Sequence, residues 1–397
     1  MSRPKHILIA GGGIGGLVAA LSLIQHGHRV TVLEQAAELK EIGAGVQIAA
    51  NGSRVLINLG LEAALRDLVC TPVGKEIRLF DTGQTWKLSD LGQQSVARYG
   101  APYWLLHRAD LHSVLVDTIQ SAAPGSLLTA SRVTSFRQTP EGVAVQLADG
   151  RIFGGDALVG SDGVHSEVRK ALHGNMTVNF AGRLAWRGVV PAERLSEQTR
   201  RLVAVNWLGP DANVVVYPLR GGELINFVGA MGNVTWTAES WTALGTLEDL
   251  LNDFQGWHPE IQEIIHNIDV PLKWAFRGRE PLPSWTDGCV TLLGDAAHPT
   301  LPTLAQGANM AIEDGAVLAR CIDAEESIPT ALKRYEAARL ERTTKLVNAS
   351  AENAKRLQDQ RLGGPDAAAY LDREYGSDKI AARYDWLFEY NALNVSI

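Results

Sequence analysis

Cysteine is scarce in this sequence, and the three thiols are not spaced for a shared structural role. Cys70, Cys289 and Cys321 lie far apart in a chain of 397 residues, and no CxxC pair is present. We therefore expect neither a disulfide framework nor a metal site. Each thiol is expected to be a small buried side chain, and the location is expected to be cytoplasmic, where thiols stay reduced.

A large excess of charge of one sign is also lacking. The chain has 37 Lys and Arg against 44 Asp and Glu, a formal net charge of −7, and it contains no long block of like charge. This balance argues against a nucleic-acid partner, for which a basic surface is typical. Internal repeats and low-complexity tracts are absent, and the length favours two domains.

The stretch from Ile7 to Ile24 is uncharged, and Arg3 and Lys5 precede it. A basic start and an apolar run are also typical of a signal peptide or a membrane anchor. However, five glycines fall between positions 11 and 16, where they would weaken a helix, and no small-residue cleavage pattern follows. We therefore expect neither a signal peptide nor a membrane partner.

The same stretch fits a strand, a turn, a helix and a second strand. "KHILIAGG" predicts a buried strand, "LVAALSLIQHG" a helix that ends near Gly27, and "RVTVLE" the second strand. Gly11, Gly13 and Gly16 give the turn the spacing of a dinucleotide site, with a tight bend, an open approach for a pyrophosphate and close helix packing. Glu34 ends the second strand, where its carboxylate could accept hydrogen bonds from ribose hydroxyls.

Later segments favour FAD over NAD as the dinucleotide. One apolar strand is followed by Asp162, and another ends at Gly294 and Asp295, where glycine permits a sharp turn. The carboxylate of Asp295 would then face a hydroxyl of the flavin cofactor. "AQGANM" places Gly307 and Ala308 at a helix start, whose N–H groups can meet the N1–C2=O edge of an isoalloxazine ring.

These motifs together resemble a known family. They are the Gly11 turn, "EIGAGVQIAANG", "HRADL", Asp162 with its following glycine, "YPLRGGE", "LLGDAAHP" and "YDWLFEYNA". In this order they resemble the single-component FAD-dependent aromatic hydroxylases, in the branch of salicylate hydroxylase, 3-hydroxybenzoate 6-hydroxylase and 6-hydroxynicotinate 3-monooxygenase. The resemblance extends over nearly the whole chain.

The resemblance implies an α/β fold. A Rossmann-like FAD-binding domain is interleaved with a β-sheet substrate domain, and a C-terminal helical region follows. The expected boundaries are 1–70, 100–175 and 276–320 for the FAD-binding domain, 71–99 and 176–275 for the substrate domain, and 321–397 for the helical region.

The resemblance also implies a reaction and its cofactors. NADH or NADPH reduces FAD, O2 then gives a C4a-hydroperoxide, and an oxygen atom is transferred to a small hydroxylated aromatic acid. A second glycine turn for the nicotinamide coenzyme is absent, and degradative relatives favour NADH. A hydroxylase of a larger aromatic natural product and a flavin-binding protein without turnover are the alternatives, and the protein is expected to be a monomer or a homodimer.

The site residues implied by the resemblance fall into two groups. The cofactor-binding group is Gly11, Gly13, Ile14, Gly15, Gly16, Glu34, Gln35, Val46, Gln47, Arg108, Val133, Asp162, Gly294, Asp295, Gly307, Ala308 and Asn309. The substrate-binding group is Asn213, Val215, Tyr217, Pro299 and Pro302, with Tyr217 and Gln47 as candidate catalytic residues.

The alternation in "NVVVYPL" supports the substrate group, because it places Asn213, Val215 and Tyr217 on one face of a strand. The 3-hydroxybenzoate-active relatives carry histidine where Asn213 stands and glutamine where Pro302 stands. An asparagine cannot take up a proton at neutral pH. This departure weighs against 3-hydroxybenzoate and toward a hydroxynicotinate or salicylate type of substrate.

Several side chains allow two interpretations. Arg108 would contact the FAD diphosphate or pair with Asp110, and Arg220 would bind a substrate carboxylate or pair with Glu223. Asp162 would serve the cofactor, cap a helix, or do both. His298 is expected to pack away from the flavin, and the glycine at position 43 would permit close approach of the ring. The tryptophans at 186, 207 and 274 could line the substrate pocket, but core packing is the default for each.

Overall fold

The computed structural model describes residues 3–39, 44–175, 179–232 and 243–397. The strands are β1 (His6–Ala10), β2 (Arg29–Leu33), β3 (Gly45–Ile48), β4 (Lys75–Leu79), β5 (Thr85–Ser89), β6 (Trp104–His107), β7 (Leu127–Leu128), β8 (Val133–Thr139), β9 (Gly142–Leu147), β10 (Ile152–Gly155), β11 (Ala157–Gly160), β12 (Asn179–Pro191), β13 (Ala204–Gly209), β14 (Ala212–Leu219), β15 (Leu224–Met231), β16 (Ala243–Leu244), β17 (Leu272–Gly278) and β18 (Val290–Leu292). The helices are α1 (Ile14–Gln25), α2 (Ala50–Asn58), α3 (Glu62–Leu65), α4 (Gln93–Tyr99), α5 (Arg108–Ala122), α6 (Glu167–His173), α7 (Leu247–Asp253), α8 (Pro259–His266), α9 (Gly307–Ala324), α10 (Ile328–Leu357), α11 (Ala367–Glu374) and α12 (Ser377–Phe388).

The first sheet contains five parallel strands in the order β18, β11, β1, β2 and β7. Its central strands, with the sequences HILIA and ALVG, are apolar and almost wholly buried. Parallel strands of this kind need cover on both faces. Helix α1 packs against both α5 and α9. The arrangement is the Rossmann-like part of the expected α/β fold.

The turn between β1 and α1 depends on glycine. Gly11 has a φ of +103°, and a Cβ at Gly16 would lie 2.2 Å from the carbonyl oxygen of Gly11. Because only glycine fits these two positions, the helix can begin directly beneath the strand end. Helix α1 has no side-chain cap at Gly13, and it ends at Gln25 before Gly27, as the sequence predicts. Its first N–H groups therefore remain available to a ligand.

The uncharged run at the N-terminus is divided between β1, the glycine turn and α1. Within the described ranges, no helix combines the length and the apolar character that crossing a bilayer requires.

The second sheet contains eight strands in the order β16, β17, β12, β15, β14, β13, β4 and β5. Neighbouring strands are antiparallel except β13 and β4. One face packs on α7 and α8 around a large apolar core that includes Trp186, Trp207 and Phe254. Val214 and Val216 of β14 belong to this core, so the alternate residues of the strand face the other way, as its period of two predicts.

The C-terminal part of the chain is helical, and α10 spans 30 residues. A buried ion cluster joins it to α9. Arg339 donates to Glu313 and to Asp314, with both distances 2.7 Å, and all three side chains are fully buried. Arg342 donates to the other oxygen of Glu313 at 3.0 Å. Burial opposes ionisation of Glu313, but the charges of Arg342 and Arg339 outweigh it and lower the pKa of that carboxyl.

Removal of the Arg339 charge should destabilise the fold strongly. An Arg339→Met substitution keeps much of the side-chain volume but leaves two buried carboxylates without their shared partner. We expect a loss of about 3–5 kcal/mol in the free energy of unfolding, measured by urea denaturation. Lys355→Met is the control, because the pair of Lys355 with Glu352 is exposed and should contribute almost nothing. Equal effects of the two substitutions would contradict the account of the cluster.

Candidate active site

A cavity of about 380 Å³ lies between the two sheets. It is bounded by the glycine turn, by β3, by the loop that follows β18, and by the inner face of the eight-stranded sheet. Sixteen of the predicted cofactor- and substrate-binding residues line it: Gly13, Ile14, Gly15, Gly16, Val46, Gln47, Arg108, Asn213, Val215, Tyr217, Gly294, Asp295, Pro299, Pro302, Gly307 and Ala308.

A second cleft of about 310 Å³ adjoins the first, and the two share Gly13, Ser161 and Gly163. All but one of the remaining predicted cofactor residues line this cleft. They are Gly11, Glu34, Gln35, Val133 and Asp162. Together the two cavities form one long groove from the end of β2 to the eight-stranded sheet. Such a groove has the shape that an extended dinucleotide with a flat ring at one end requires.

The exception is Asn309, a predicted cofactor-binding residue that lines neither of the two cavities. It is completely buried, and its side chain accepts a hydrogen bond from the amide of Ala49 at 3.0 Å. It donates to the carbonyl oxygens of Gln47 and Ala305. The side chain therefore fixes the loops around β3 and the start of α9 to each other. Gly43, also named from the sequence, lies outside the described residues.

The glycine turn leaves room for a ligand. A Cβ built on Gly13 would meet no protein atom within 4 Å, so the space in front of the α1 N-terminus is open. The Glu34 carboxylate accepts hydrogen bonds from the amides of Gly12 at 2.7 Å and Ala36 at 2.8 Å. It thus holds the turn from the side, and its partial exposure in the cleft leaves it accessible to a ribose.

Asp162 and Asp295 present carboxylate oxygens to the groove. One oxygen of Asp162 accepts from the amides of Glu167 and Val168 at the start of α6, although the N-cap residue of this helix is Ser166 and not Asp162. Its other oxygen is buried and has no partner among the described residues. Asp295 is accessible from the cavity but otherwise surrounded by protein, and this desolvation raises the pKa of its carboxyl, against the charges of His298, Arg108 and Arg169. These unpaired oxygens fit the hydroxyl groups of a dinucleotide.

The loop between β18 and α9 is held from below by one buried carboxylate. Asp314 accepts hydrogen bonds from the amide of Gly294 at 3.1 Å and from Nε2 of His298 at 2.6 Å. His298 is buried and packs on the ring of Trp285, so it faces away from the cavity, as expected. Desolvation opposes ionisation of Asp314, but His298 and Arg339 prevail and lower the pKa of this carboxyl to about 2.

The inner face of the eight-stranded sheet forms the wall opposite this loop. Strand pairing places Arg187 beside Val228, Val228 beside Val215, and Val215 beside Asn206. We call these four residues the central row. Directly paired residues share a face, and all four line the cavity. Three strand spacings separate the ends of the row, so the backbones of Arg187 and Asn206 lie about 14 Å apart.

Tyr217 and Gln47 lie at the edge of this wall. Gln47 accepts a 2.6 Å hydrogen bond from the hydroxyl of Tyr103. The ring of Tyr217 packs over Gly45, where a Cβ would lie 2.5 Å from the phenol oxygen. Burial raises the pKa of Tyr217, and Arg187 opposes the rise only in part. The phenol therefore stays neutral at neutral pH.

Sequence reasoning missed three polar residues of the wall: Arg187, Lys75 and Asn206. The guanidinium carbon of Arg187 lies 3.8 Å from the ring centre of Trp274, which lines the cavity too. Alternation along "LAWRGVV" could have placed Arg187 on the face opposite Trp186. For Lys75 and Asn206 no local signal exists, because their position depends on the pairing of β4 with β13.

One expectation about the arginines needs correction. Arg220 does not take Glu223 as its main partner but forms two 2.8 Å hydrogen bonds with the carboxylate of Asp110. The pairing spans 110 positions in the chain, which a local pattern does not reveal. Asp110 is therefore engaged by Arg220, and Arg108 lines the cavity.

Comparison with known proteins agrees with this geometry. A family model described as an FAD binding domain matches residues 5–350. The 3-amino-4-hydroxybenzoate 2-monooxygenase PtmB3 of Streptomyces platensis is 36% identical over 395 residues, covering 99% of this chain and 98% of that protein. The 3-hydroxybenzoate 6-hydroxylase 1 of Aquipseudomonas alcaligenes is 37% identical over 347 residues, 86% of each chain. The structure of Klebsiella pneumoniae HpxO complexed with FAD and uric acid has a TM-score of 0.84 at 27% identity, covering 97% of both chains.

The chain therefore belongs to this family of proteins with an FAD-binding domain. The predictions of a Rossmann-like α/β fold, of FAD as cofactor with NAD(P)H and O2 as co-substrates, and of an aromatic monooxygenase are confirmed. Because the chain is an aromatic monooxygenase, the alternative of a flavin-binding protein without catalytic activity is ruled out. The roles of individual site residues stay predictions.

A side chain at position 13 should block the cofactor without harming the fold. The space in front of Gly13 is open and its φ is −73°, so Gly13→Val fits the protein but enters the groove. We expect FAD to bind the apoprotein roughly 10- to 100-fold more weakly, the range that about 1–3 kcal/mol of overpacking gives. The melting temperature of the apoprotein should stay unchanged.

Gly154→Val is the matched control for this experiment. Gly154 lies in the exposed strand β10, and its Cβ would also meet no atom within 4 Å. It should leave FAD affinity, measured by flavin fluorescence titration, as in the wild type. If both substitutions weaken FAD binding equally, or if neither does, the placement of the dinucleotide at Gly13 is wrong.

Proposed function

We propose that the protein hydroxylates a small aromatic acid that carries a ring hydroxyl, of the salicylate, hydroxybenzoate or hydroxynicotinate type. The observation that carries this proposal is the central row, in which two valines lie between Arg187 and Asn206. An aromatic ring fits against Val215 and Val228, while the polar residues at either end meet its substituents. Most small-molecule sites combine an apolar wall with a few polar groups in this way.

Arg187 is the proposed partner of the substrate carboxylate. Its guanidinium lines the cavity and stacks on Trp274, which holds the planar group in one orientation. A guanidinium recognises a carboxylate through two parallel hydrogen bonds. Lys75 adds a second positive charge to the same wall, and its Nζ lies 5.1 Å from the ring centre of Tyr384.

The ring hydroxyl is proposed to be activated by this positive field. Histidine is absent from the described lining of the cavity between the sheets, and Asn213 and the neutral Tyr217 cannot accept a proton at neutral pH. Positive charge nearby lowers the pKa of a phenol because it stabilises the phenolate. Arg187 already acts in this direction on Tyr217. An ionised ring is electron-rich and so reacts more readily with an electrophilic oxygen.

The loop after β18 closes the opposite side of the cavity. Pro299 and Pro302 line it without contributing N–H donors, and Leu301 and Leu304 add apolar surface. The site thereby excludes water from the reacting ring. FAD, when bound, takes up electrons from NAD(P)H and activates O2. The N–H groups at the start of α9 face the cavity at Gly307 and Ala308, where they would stabilise negative charge on the reduced ring.

The dimensions of the cavity favour a small substrate over a large natural product. Its 380 Å³ include the predicted flavin site, and Trp274, Phe276 and Tyr217 take up space at the wall. NADH as the preferred coenzyme, a cytoplasmic location and a monomeric or homodimeric state belong to the same proposal. Three free thiols support the location.

Aromatic acids should stimulate NADH oxidation by the purified holoenzyme. We would assay salicylate, 3-hydroxybenzoate, 6-hydroxynicotinate and 3-amino-4-hydroxybenzoate, with benzoate as the control that lacks a ring hydroxyl. At least one hydroxylated acid should raise the rate and yield a product that contains one oxygen atom from labelled O2. If no compound of this class does both, the proposed substrate class is wrong.

Arg187→Met should weaken the binding of the acid found in that assay. The substitution removes the positive charge but keeps the aliphatic stem beside Trp274. We expect KM for the carboxylate to rise roughly 10- to 100-fold, as for the loss of a charge-assisted hydrogen bond, and KM for the matching carboxamide to change much less. Arg200→Met, at an exposed arginine of the same domain, is the control. If KM rises equally for the acid and for the carboxamide, Arg187 does not bind the substrate carboxylate.

A further inference from the structure

A chain of three buried amides crosses the substrate wall and ends at the cavity. Gln358, the residue directly after α10, donates from Nε2 to Oδ1 of Asn213 at 3.1 Å. Asn213 in turn donates from Nδ2 to Oδ1 of Asn206 at 3.3 Å. All three residues are at most 8% exposed. We call this set the amide relay.

The direction of the amide relay is fixed at its far end. Nε2 of Gln358 also donates to the carbonyl oxygen of Ala230 at 3.3 Å, and a carbonyl can only accept. If the Gln358 amide were turned over, its oxygen would face two acceptors. The nitrogen must therefore face Ala230, and Asn213 must present its oxygen to Gln358 and its nitrogen to Asn206.

This order leaves one nitrogen for the ligand. Oδ1 of Asn206 is occupied by Asn213, so Nδ2 of Asn206 is the free end of the relay. The structure gives this nitrogen no acceptor among the described residues, and Asn206 lines the cavity at the end of the central row opposite Arg187. The wall therefore presents an unused hydrogen-bond donor at this point.

We propose that Nδ2 of Asn206 binds the ring oxygen of the substrate, and that Gln358 is a positioning residue that makes Asn206 a donor. This inference rests on the proposed function, because it assumes a ring held over Val215 and Val228 with its carboxylate at Arg187. An oxygen at the other end of the ring then meets Asn206. A phenolate, which only accepts, is favoured there over an amino group, which mainly donates.

The relay can be reversed by a single substitution. In Gln358→Glu, a carboxyl oxygen with at most one proton replaces the amide nitrogen with its two, and that proton is needed for the carbonyl oxygen of Ala230, so the Asn213 amide has to turn its nitrogen toward residue 358. Asn206 then turns as well and presents its oxygen to the cavity. Selectivity should change in a defined direction, because the wall now offers an acceptor in place of a donor.

The experiment compares hydroxyl and amino partners of the same shape. The probes are salicylate with anthranilate, 3-hydroxybenzoate with 3-aminobenzoate, and 4-hydroxybenzoate with 4-aminobenzoate, bound to the holoenzyme and followed by the change in flavin absorbance. For the pair that the wild type binds best, we expect the preference for hydroxyl over amino to fall about 10-fold or more in Gln358→Glu. The pH at which binding of the hydroxyl compound is half-maximal should also rise, because the phenolate loses its donor.

Two controls separate the relay from a simple effect of charge. Gln360→Glu makes the same chemical change two residues away on the surface, where Gln360 contacts Asp211, and should leave the preference unchanged. Asn206→Leu removes the free donor and should lower the preference by itself. In the double variant, Gln358→Glu should add nothing, because Gln358 acts through Asn206.

The outcomes are distinct. If Gln358→Glu lowers the preference equally with and without Asn206, the added charge acts directly and the relay is wrong. If Asn206→Leu leaves the preference and the pH profile unchanged, Asn206 does not bind the ring oxygen. FAD content and melting temperature serve as checks on folding. If the Gln358→Glu protein is unstable, Gln358→Met takes its place in the comparison with Asn206→Leu and the double variant. Absence of binding of every probe by the wild type would instead contradict the proposed function.

Discussion

The carboxylate of Asp314 holds together three parts of the chain that must keep fixed positions for the site to exist. It accepts hydrogen bonds from Gly294 at the end of β18 and from His298 in the loop that follows, and it pairs with Arg339 of α10. Asp314 itself belongs to α9, whose first turn faces the cavity. A fully buried charge is tolerated only when all its hydrogen-bonding and charged partners are in place. The carboxylate therefore couples the loop after β18, α9 and α10 into one unit. The wall that is proposed to meet the flavin is built on this unit.

The opposite wall gains its chemistry from strand pairing. Arg187, Val228, Val215 and Asn206 come from four strands, and only their register places an aromatic-sized apolar patch between a cation and an amide. The helix α10 then contributes at both walls: Arg339 stabilises the flavin loop from one end, and Gln358 orders the substrate wall at the other. Cofactor and substrate surfaces are therefore connected through a single helix.

Local patterns in the sequence were sufficient to predict the features of the site that depend on neighbouring residues. The glycine turn with its helix and the alternation that turns Tyr217 toward the cavity both depend on spacings of a few residues. Arg187 was missed although the alternation along its strand places it on the face opposite Trp186. Lys75, Asn206 and Gln358 were not identified, because their place in the site depends on contacts between strands and helices far apart in the chain. For the same reason Arg220 was assigned a neighbour, Glu223, when its partner is the distant Asp110. Local periodicity shows which way a side chain points, but not what lies opposite it.

The central claim is that the long groove between the two sheets binds FAD next to an aromatic slot. The most direct test is the visible absorption spectrum of the purified protein, recorded before and after the addition of a hydroxylated aromatic acid, with release of the cofactor by denaturation for its identification. We expect a yellow protein with one FAD per chain and a flavin spectrum that shifts when the acid binds. A colourless protein that cannot be made yellow by adding FAD would contradict it.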